Sequence, residues 1–186
     1  MTGVKLRAGQ SKPARSTIRA AVAPPPDLMN PTDTLTGLFD RAELVEDLAR
    51  AVVPNAPPSR LVVFELLGLE VLLDVLPRED GEFLLVRLAA RLKSALGSGP
   101  CYLSRRAEFC CLLSLAQAET TLERAKLALS AAARPYLLTI SYTVVHLPDE
   151  ARDPVEALER ADTQLLKLTR TEERRRKRDR TAGVAA

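Results

Sequence analysis

Apolar positions recur along the chain at two spacings, and the switches between them predict nine elements. Leu38, Ala42, Val45, Leu48, Ala49 and Val52 repeat with the helical period after the cap chemistry of Thr32-Asp33-Thr34, and Pro54, Pro57 and Pro58 end that helix. Arg60–Leu67 is a short apolar run rich in β-formers, the pattern of a buried strand. Gly68–Val75 is compatible with a helix closed by Pro77, followed by a turn at Glu79-Asp80-Gly81. Phe83, Val86, Leu88, Ala89 and Leu92 predict an amphipathic helix, stopped by Gly97-Ser98-Gly99-Pro100. Cys101–Ser104 and Phe109–Leu115 then form a hairpin, Ala118–Ala132 a helix facing inward with Leu122, Ala125, Leu129 and Ala132, and Tyr136–Val145 a β-branched strand. Asp153-Pro154 opens a last helix with the stripe Val155, Leu158, Ala161, Leu165 and Leu168.

Helices thus alternate with strands around one central hairpin. The expected fold class is α/β (α+β): a βααββαβ core with an N-terminal helix, its central sheet flanked by helices, of ferredoxin-like or nucleotidyl-cyclase type.

Charge divides the chain where the pattern does. Residues 1–26 carry five bases and no acid, residues 170–180 seven bases and three acids, and residues 27–169 fifteen bases and twenty-one acids. Residues 1–31, polar, basic and ending near Pro24-Pro25-Pro26, read as a disordered arm. Residues 32–170 read as one globular domain, and residues 171–186 as a basic helical extension with a disordered tail. The run Arg174-Arg175-Arg176-Lys177-Arg178 reads first as a solvated helix end and second as a contact for nucleic acid or an anionic membrane surface. Aromatic residues make up 4% of the chain and tryptophan is absent, so stacking platforms for bases are scarce. Cys101, Cys110 and Cys111 are odd in number and two are adjacent, which predicts buried thiols rather than a disulfide framework. His146 is the only histidine, and no His/Cys spacing suggests a metal site. With no apolar run of about 18 residues and no signal-like N-terminus, a cytoplasmic location is expected.

Particular residues carry a family resemblance. Asp33-Thr34-Leu35-Thr36-Gly37-Leu38-Phe39-Asp40-Arg41 closely resembles the D-x-LTGL-x-N/D-R opening of GGDEF domains, the fold of bacterial diguanylate cyclases. Leu73-Asp74, Pro77-Arg78, Gly81-Glu82, Arg91-Leu92, Thr139-Ile140-Ser141-Tyr142-Thr143 and Ala161-Asp162 followed by Leu165 resemble further landmarks in order. The family's signature, Gly-Gly-Asp-Glu-Phe, falls on Arg105-Arg106-Ala107-Glu108-Phe109.

The resemblance implies what each site position would do and what is missing. The family holds two divalent cations with a carboxylate at the first strand's end, here Glu65, and another at the third signature position, here Ala107. A methyl group cannot ligate a hard cation, and phosphoryl transfer leans on that metal. Guanine-reading positions fall on Leu73 and Glu82, the second aspartate of the first-strand motif on Leu67, its following lysine on Glu70, the phosphate-contacting lysine on Thr169, and the inhibitory product site on Leu96 and Gly99. The expected function is therefore a non-catalytic GGDEF-like domain, without metal or cofactor, acting through a protein partner or as a homodimer. Leu67, Leu73, Arg105 and Arg106 are its candidate interaction residues. Alternatives are a GTP or cyclic di-GMP sensor retaining Glu65, Glu82, Arg105 and Arg106, and polyanion binding through the tails. Retained cyclase activity would need a metal site built from Glu65 and Glu108.

Overall fold

The computed structural model describes residues 32–116 and 118–183, with side chains described as far as Thr171. The predicted arm, residues 1–31, and the last three residues lie outside these. The elements run α1 (Arg41–Ala51), β1 (Ser59–Leu67), α2 (Leu69–Val75), α3 (Arg78–Leu96), β2 (Cys101–Arg105), β3 (Glu108–Ser114), α4 (Ala118–Ala133), a 3-10 turn at Arg134–Tyr136, β4 (Thr139–Leu147) and α5 (Pro154–Gly183). Four strands pair in the order β2-β3-β1-β4, every pairing antiparallel. This is the expected α+β sheet with its hairpin and flanking helices.

Helices cover both faces of the sheet, which explains why Leu61–Phe64 of β1 are apolar on both faces. Val62, Phe64 and Leu66 point into a core with α2, α3 and α4, while Leu61 and Val63 point into a second core with α1 and α5. Tyr102, buried on the second face, donates its hydroxyl hydrogen to Asp47 of α1. Cys101, Cys110 and Cys111 are free and buried, and burial pushes the Cys101 thiol up to about 12, so these thiols behave as inert packing groups.

Three local expectations are corrected. Glu79-Asp80-Gly81 is the first turn of α3, not a loop: the two acids favour a helix N-terminus, and Gly81 admits Leu73, whose Cδ2 would lie 3.1 Å from any Cβ there. The first helix is capped by Asp40, whose side chain accepts from Glu43 N at 2.9 Å. Asp33 instead closes a turn, accepting from Thr36 N at 2.7 Å and Thr36 Oγ1 at 2.6 Å. Helix faces also rotate. Leu44 and Leu48 are buried where Val45 is exposed, and Leu84, Leu85 and Leu88 are buried where Phe83 and Val86 face outward. A window average shows that a helix is amphipathic, whereas the residue at its centre is set by the neighbour it packs on.

The opening motif has a structural role. Gly37, at φ +63°, takes the left-handed turn, its carbonyl accepts from Lys93 Nζ at 3.0 Å, and Arg41 NH1 donates to Ser104 Oγ at 2.7 Å. Phe39 then docks on the outer edge of β2: its N donates to Cys101 O at 3.0 Å and its carbonyl accepts from Leu103 N at 2.8 Å. The motif thereby ties the start of the domain to one sheet edge.

Candidate functional site

The β2–β3 hairpin places Arg105-Arg106-Ala107-Glu108-Phe109 beside the end of β1. Glu65 and Glu108 are direct cross-strand partners, and the alternation of side chains puts both on the face covered by α1 and α5. Ser141 of β4 stands opposite Glu65 on its other side. Like charges directly opposite each other are unfavourable, so this pair needs compensation.

Arg105 supplies it. Its NH1 lies 3.4 Å from Glu108 Oε2 and 3.5 Å from Asp162 Oδ1, and its NH2 donates to Asp162 Oδ2 at 2.9 Å. The guanidinium thereby links the hairpin to α5 across the cluster. Glu108 is buried, whereas Arg105 and Asp162 are partly exposed. Burial pushes the Glu65 carboxyl up, the charges of Glu108 and Glu70 add to this, and Thr169 and Arg105 oppose it. The Thr169 hydroxyl approaches Glu65 without closing a hydrogen bond of ordinary geometry, and its oxygen is buried and otherwise unpartnered.

Two small cavities flank the cluster. One, of about 180 Å³, lies between Glu65, Gly68, Glu70, Val71, Arg105 and Ala107; the other, of about 190 Å³, lies under α5 between Glu65, Arg105, Glu108, Asp162 and Thr169. Ala107 is buried and packs with the core on the α3–α4 face, and it also borders the first of these cavities beside the two glutamates. The donor set does not fit a divalent cation. The third signature position offers a methyl, the oxygens of Glu108 and Asp162 face a guanidinium, and among the described residues no group of three or more His, Cys, Asp or Glu side chains could hold a metal.

The second arginine acts on the other side of the hairpin. Arg106 pairs with Asp74 of α2 and donates from NH2 to Leu73 O at 3.3 Å. It borders a groove of about 390 Å³ with Leu35, Leu73, Leu76, Arg78 and Glu82, in which Arg78 Nε donates to Glu82 Oε1 at 2.6 Å. Leu73 is buried in the core and Leu67 half-buried.

The structure therefore brings together Glu65, Ala107, Glu108, Arg105 and Thr169, and separately Leu73, Glu82 and Arg106. Arg174, Arg175, Arg176, Lys177 and Arg178 lie on the distal part of α5, beyond Thr169, and their side chains fall outside those described. Sequence reasoning missed Asp162 and Asp74 as the partners of the two arginines. They are 57 and 32 residues away, and no local periodicity links them. Arg105 and Arg106 stand exposed at the hairpin tip, and both are ion-paired there, Arg105 to Glu108 and Asp162 and Arg106 to Asp74. Nor does the turn use a left-handed residue here, since among described non-glycine residues only Asn55 and Leu137 have positive φ.

Glu65 makes a pH prediction. Its carboxyl is held above the ordinary 4.5 in the fold, so the unfolded chain ionises first as pH rises. Stability is then full in acid and falls as pH rises through that window. Glu65→Gln is expected to raise the thermal midpoint at neutral pH and to leave it unchanged well below pH 4.5, checked by thermal unfolding at both pH values.

Residues 30–175 match the family described as "Diguanylate cyclase, GGDEF domain". No curated protein matches the chain. Solved structures similar to it include the GGDEF domain of TpbB (YfiN) from Pseudomonas aeruginosa, at TM-score 0.62 and 21% identity over 75% of this chain and 89% of that one. The diguanylate cyclase SiaD in complex with its activator SiaC, from the same organism, reaches TM-score 0.63 and 23% identity over 78% of this chain and 61% of that one. The GGDEF domain of DgcB from Caulobacter crescentus, in complex with c-di-GMP, reaches 0.62 and 21% over 76% and 91%. These identities speak to the fold, and no helix among the described residues is long and apolar enough to cross a membrane. With a family match that spans most of the chain and a sheet and hairpin of the same kind, the chain belongs to the GGDEF family.

Proposed function

We propose that this chain is a non-catalytic GGDEF domain, working as a regulatory or protein-interaction module in signalling. The observation that carries the reading is the Arg105 bridge. A fixed cation reaches from Glu108 to Asp162 beside Glu65, while the carboxylate expected at the third signature position is the methyl of Ala107. Phosphoryl transfer to a ribose hydroxyl depends on positioned metal ions to neutralise developing charge. The residues around Glu65 offer no set of oxygens for that role. The base-reading positions support the same conclusion, since Leu73 is packed in the core and Glu82 is paired with Arg78. A protein partner suits a domain that keeps its scaffold without its chemistry, and SiaD shows that a structure of this fold can be held by a separate protein.

The test is turnover. The full chain incubated with GTP and Mg²⁺ or Mn²⁺ is expected to yield no cyclic di-GMP by chromatography, and formation of product overturns the reading. Calorimetry with GTP and with cyclic di-GMP addresses binding without turnover. That second reading is favoured only by the groove bordered by Arg78 and Arg106, whose charges already face Glu82 and Asp74.

A further inference from the structure

The two edges of the sheet are finished differently. The β2 edge is short, five residues, and is covered by Phe39, which makes backbone hydrogen bonds to Cys101 and Leu103. The opposite edge is β4, nine residues long, and among the described residues no strand pairs with its outer side. Natural edge strands are kept from pairing by charged side chains, proline, bulges, shortness or a covering segment. Thr139–Leu147 has none of the first four: it contains no Lys, Arg, Asp, Glu or Pro, pairs with β1 in unbroken register, and is rich in β-branched residues.

The backbone direction follows from one residue. His146 N donates to the Glu150 carboxylate at 2.7 Å and His146 O accepts from Glu150 N at 2.8 Å, so the polar backbone groups of His146 face away from β1. Strand alternation then turns those of Val144, Tyr142 and Ile140 outward as well, and among the described residues no helix or strand bonds to them. Glu150 thus closes the end of the edge and leaves its centre open. That centre borders a groove of about 540 Å³, walled by Leu67 and by Leu168 of α5, which is exposed.

We propose that a second copy of this chain occupies this edge, with β4 pairing antiparallel to its own symmetry mate about a two-fold axis at Tyr142. The register is self-complementary. Tyr142 faces Tyr142 of the mate, Ile140 faces Val144, and the three outward residues of each copy exchange six backbone hydrogen bonds in all. Aromatic and β-branched pairs are favourable opposite each other in antiparallel sheets, and no like charges meet along the seam. Lys126, whose Nζ lies 4.8 Å from the Tyr142 ring centre, is itself paired with Glu123 at 2.7 Å and brings no uncompensated charge. The product is a continuous eight-stranded sheet in a closed two-fold dimer, the commonest oligomer symmetry. An extended segment of another protein could use the same backbone groups, but it would lack this match of the strand to itself. The inference is independent of whether the site near Glu65 is catalytic.

Sedimentation of the full chain at high micromolar concentration is expected to show a dimer. A nitroxide label on His146→Cys, with the three buried thiols unlabelled, fixes the register. In this pairing His146 faces Leu138 of the mate, so the two labelled backbones lie eight residues apart along the seam, roughly 27 Å by the antiparallel rise. Val144→Pro removes one outward N–H per copy and should weaken association roughly ten- to a hundredfold, the effect of two lost hydrogen bonds. Val144→Thr, which keeps the N–H, should stay dimeric. A monomer at every concentration overturns the proposal, as does a dimer whose labels sit at another distance. Should Val144→Pro fail to fold, the label distance alone decides.

Discussion

Placing a carboxylate at the third signature position with Ala107→Asp is expected to destabilise the protein by roughly 3–5 kcal/mol, the range for an uncompensated buried charge. Ala107 is buried among the apolar side chains of the α3–α4 core, and it borders a cavity whose other lining residues include Glu65, Glu70 and Glu108. A new anion there meets low polarity on one side and like charge on the other; the Arg105 guanidinium already faces Glu108 and Asp162, and that of Arg106 faces Asp74. Ala107→Asn, of nearly the same shape, separates charge from volume and should cost less. Urea unfolding of the three proteins at neutral pH measures the difference; an Asp variant as stable as the Asn variant would refute the electrostatic account. Because a loss of this size is a large part of a domain's total stability of about 5–15 kcal/mol, reversing the signature at one position is expected to harm the fold before it helps the chemistry. Added Mg²⁺ should recover little of it while Arg105 remains.

Removing that guanidinium is the second large effect. Arg105→Ala is expected to cost roughly 1–3 kcal/mol, mainly because Glu108, buried and facing Glu65, loses its cation. The half-exposed arm of the pair, to Asp162, contributes at the low end of surface ion pairs. The sign with pH follows from Glu65, whose carboxyl Arg105 helps to hold down. Without Arg105 that carboxyl rises further, so the cost is greatest at neutral and higher pH, where the carboxylates are ionised, and shrinks as pH falls and Glu65 takes up its proton. Adding Glu65→Gln to Arg105→Ala should return part of the loss at neutral pH. Thermal unfolding across pH checks this, and a loss equal at acid and neutral pH would show that Arg105 acts through packing of its stem.

Much of the fold is legible in the residues because it rests on short-range rules. The apolar, β-forming run of Arg60–Leu67, prolines after the first helix, glycines before β2 and the Asp153-Pro154 opening of α5 each act within a few residues. The opening motif is legible as a motif for the same reason, although the cap read at Thr32-Asp33-Thr34 falls on Asp40. Asp33, Thr36, Gly37 and Asp40 close their own turn and cap their own helix. Misreadings occurred where a local signal was overruled from a distance. Glu79-Asp80-Gly81 reads as a turn until Leu73 is packed against Gly81, and Phe83 reads as core until α3 settles on Leu84, Leu85 and Leu88.

The site divides in the same way. Residue identity alone decides that the Ala107 side chain offers no ligand oxygen and that the Leu73 side chain offers no hydrogen bond to a base, because these are properties of side chains. Only the tertiary structure decides what surrounds these positions. It sets Glu65 against Glu108, carries Arg105 to Asp162 and Arg106 to Asp74, caps one sheet edge with Phe39 and leaves the other, at Tyr142, open. Those pairings join residues tens of positions apart, and the energy of bringing two charges or two strands together depends on their separation in space, which no local pattern encodes.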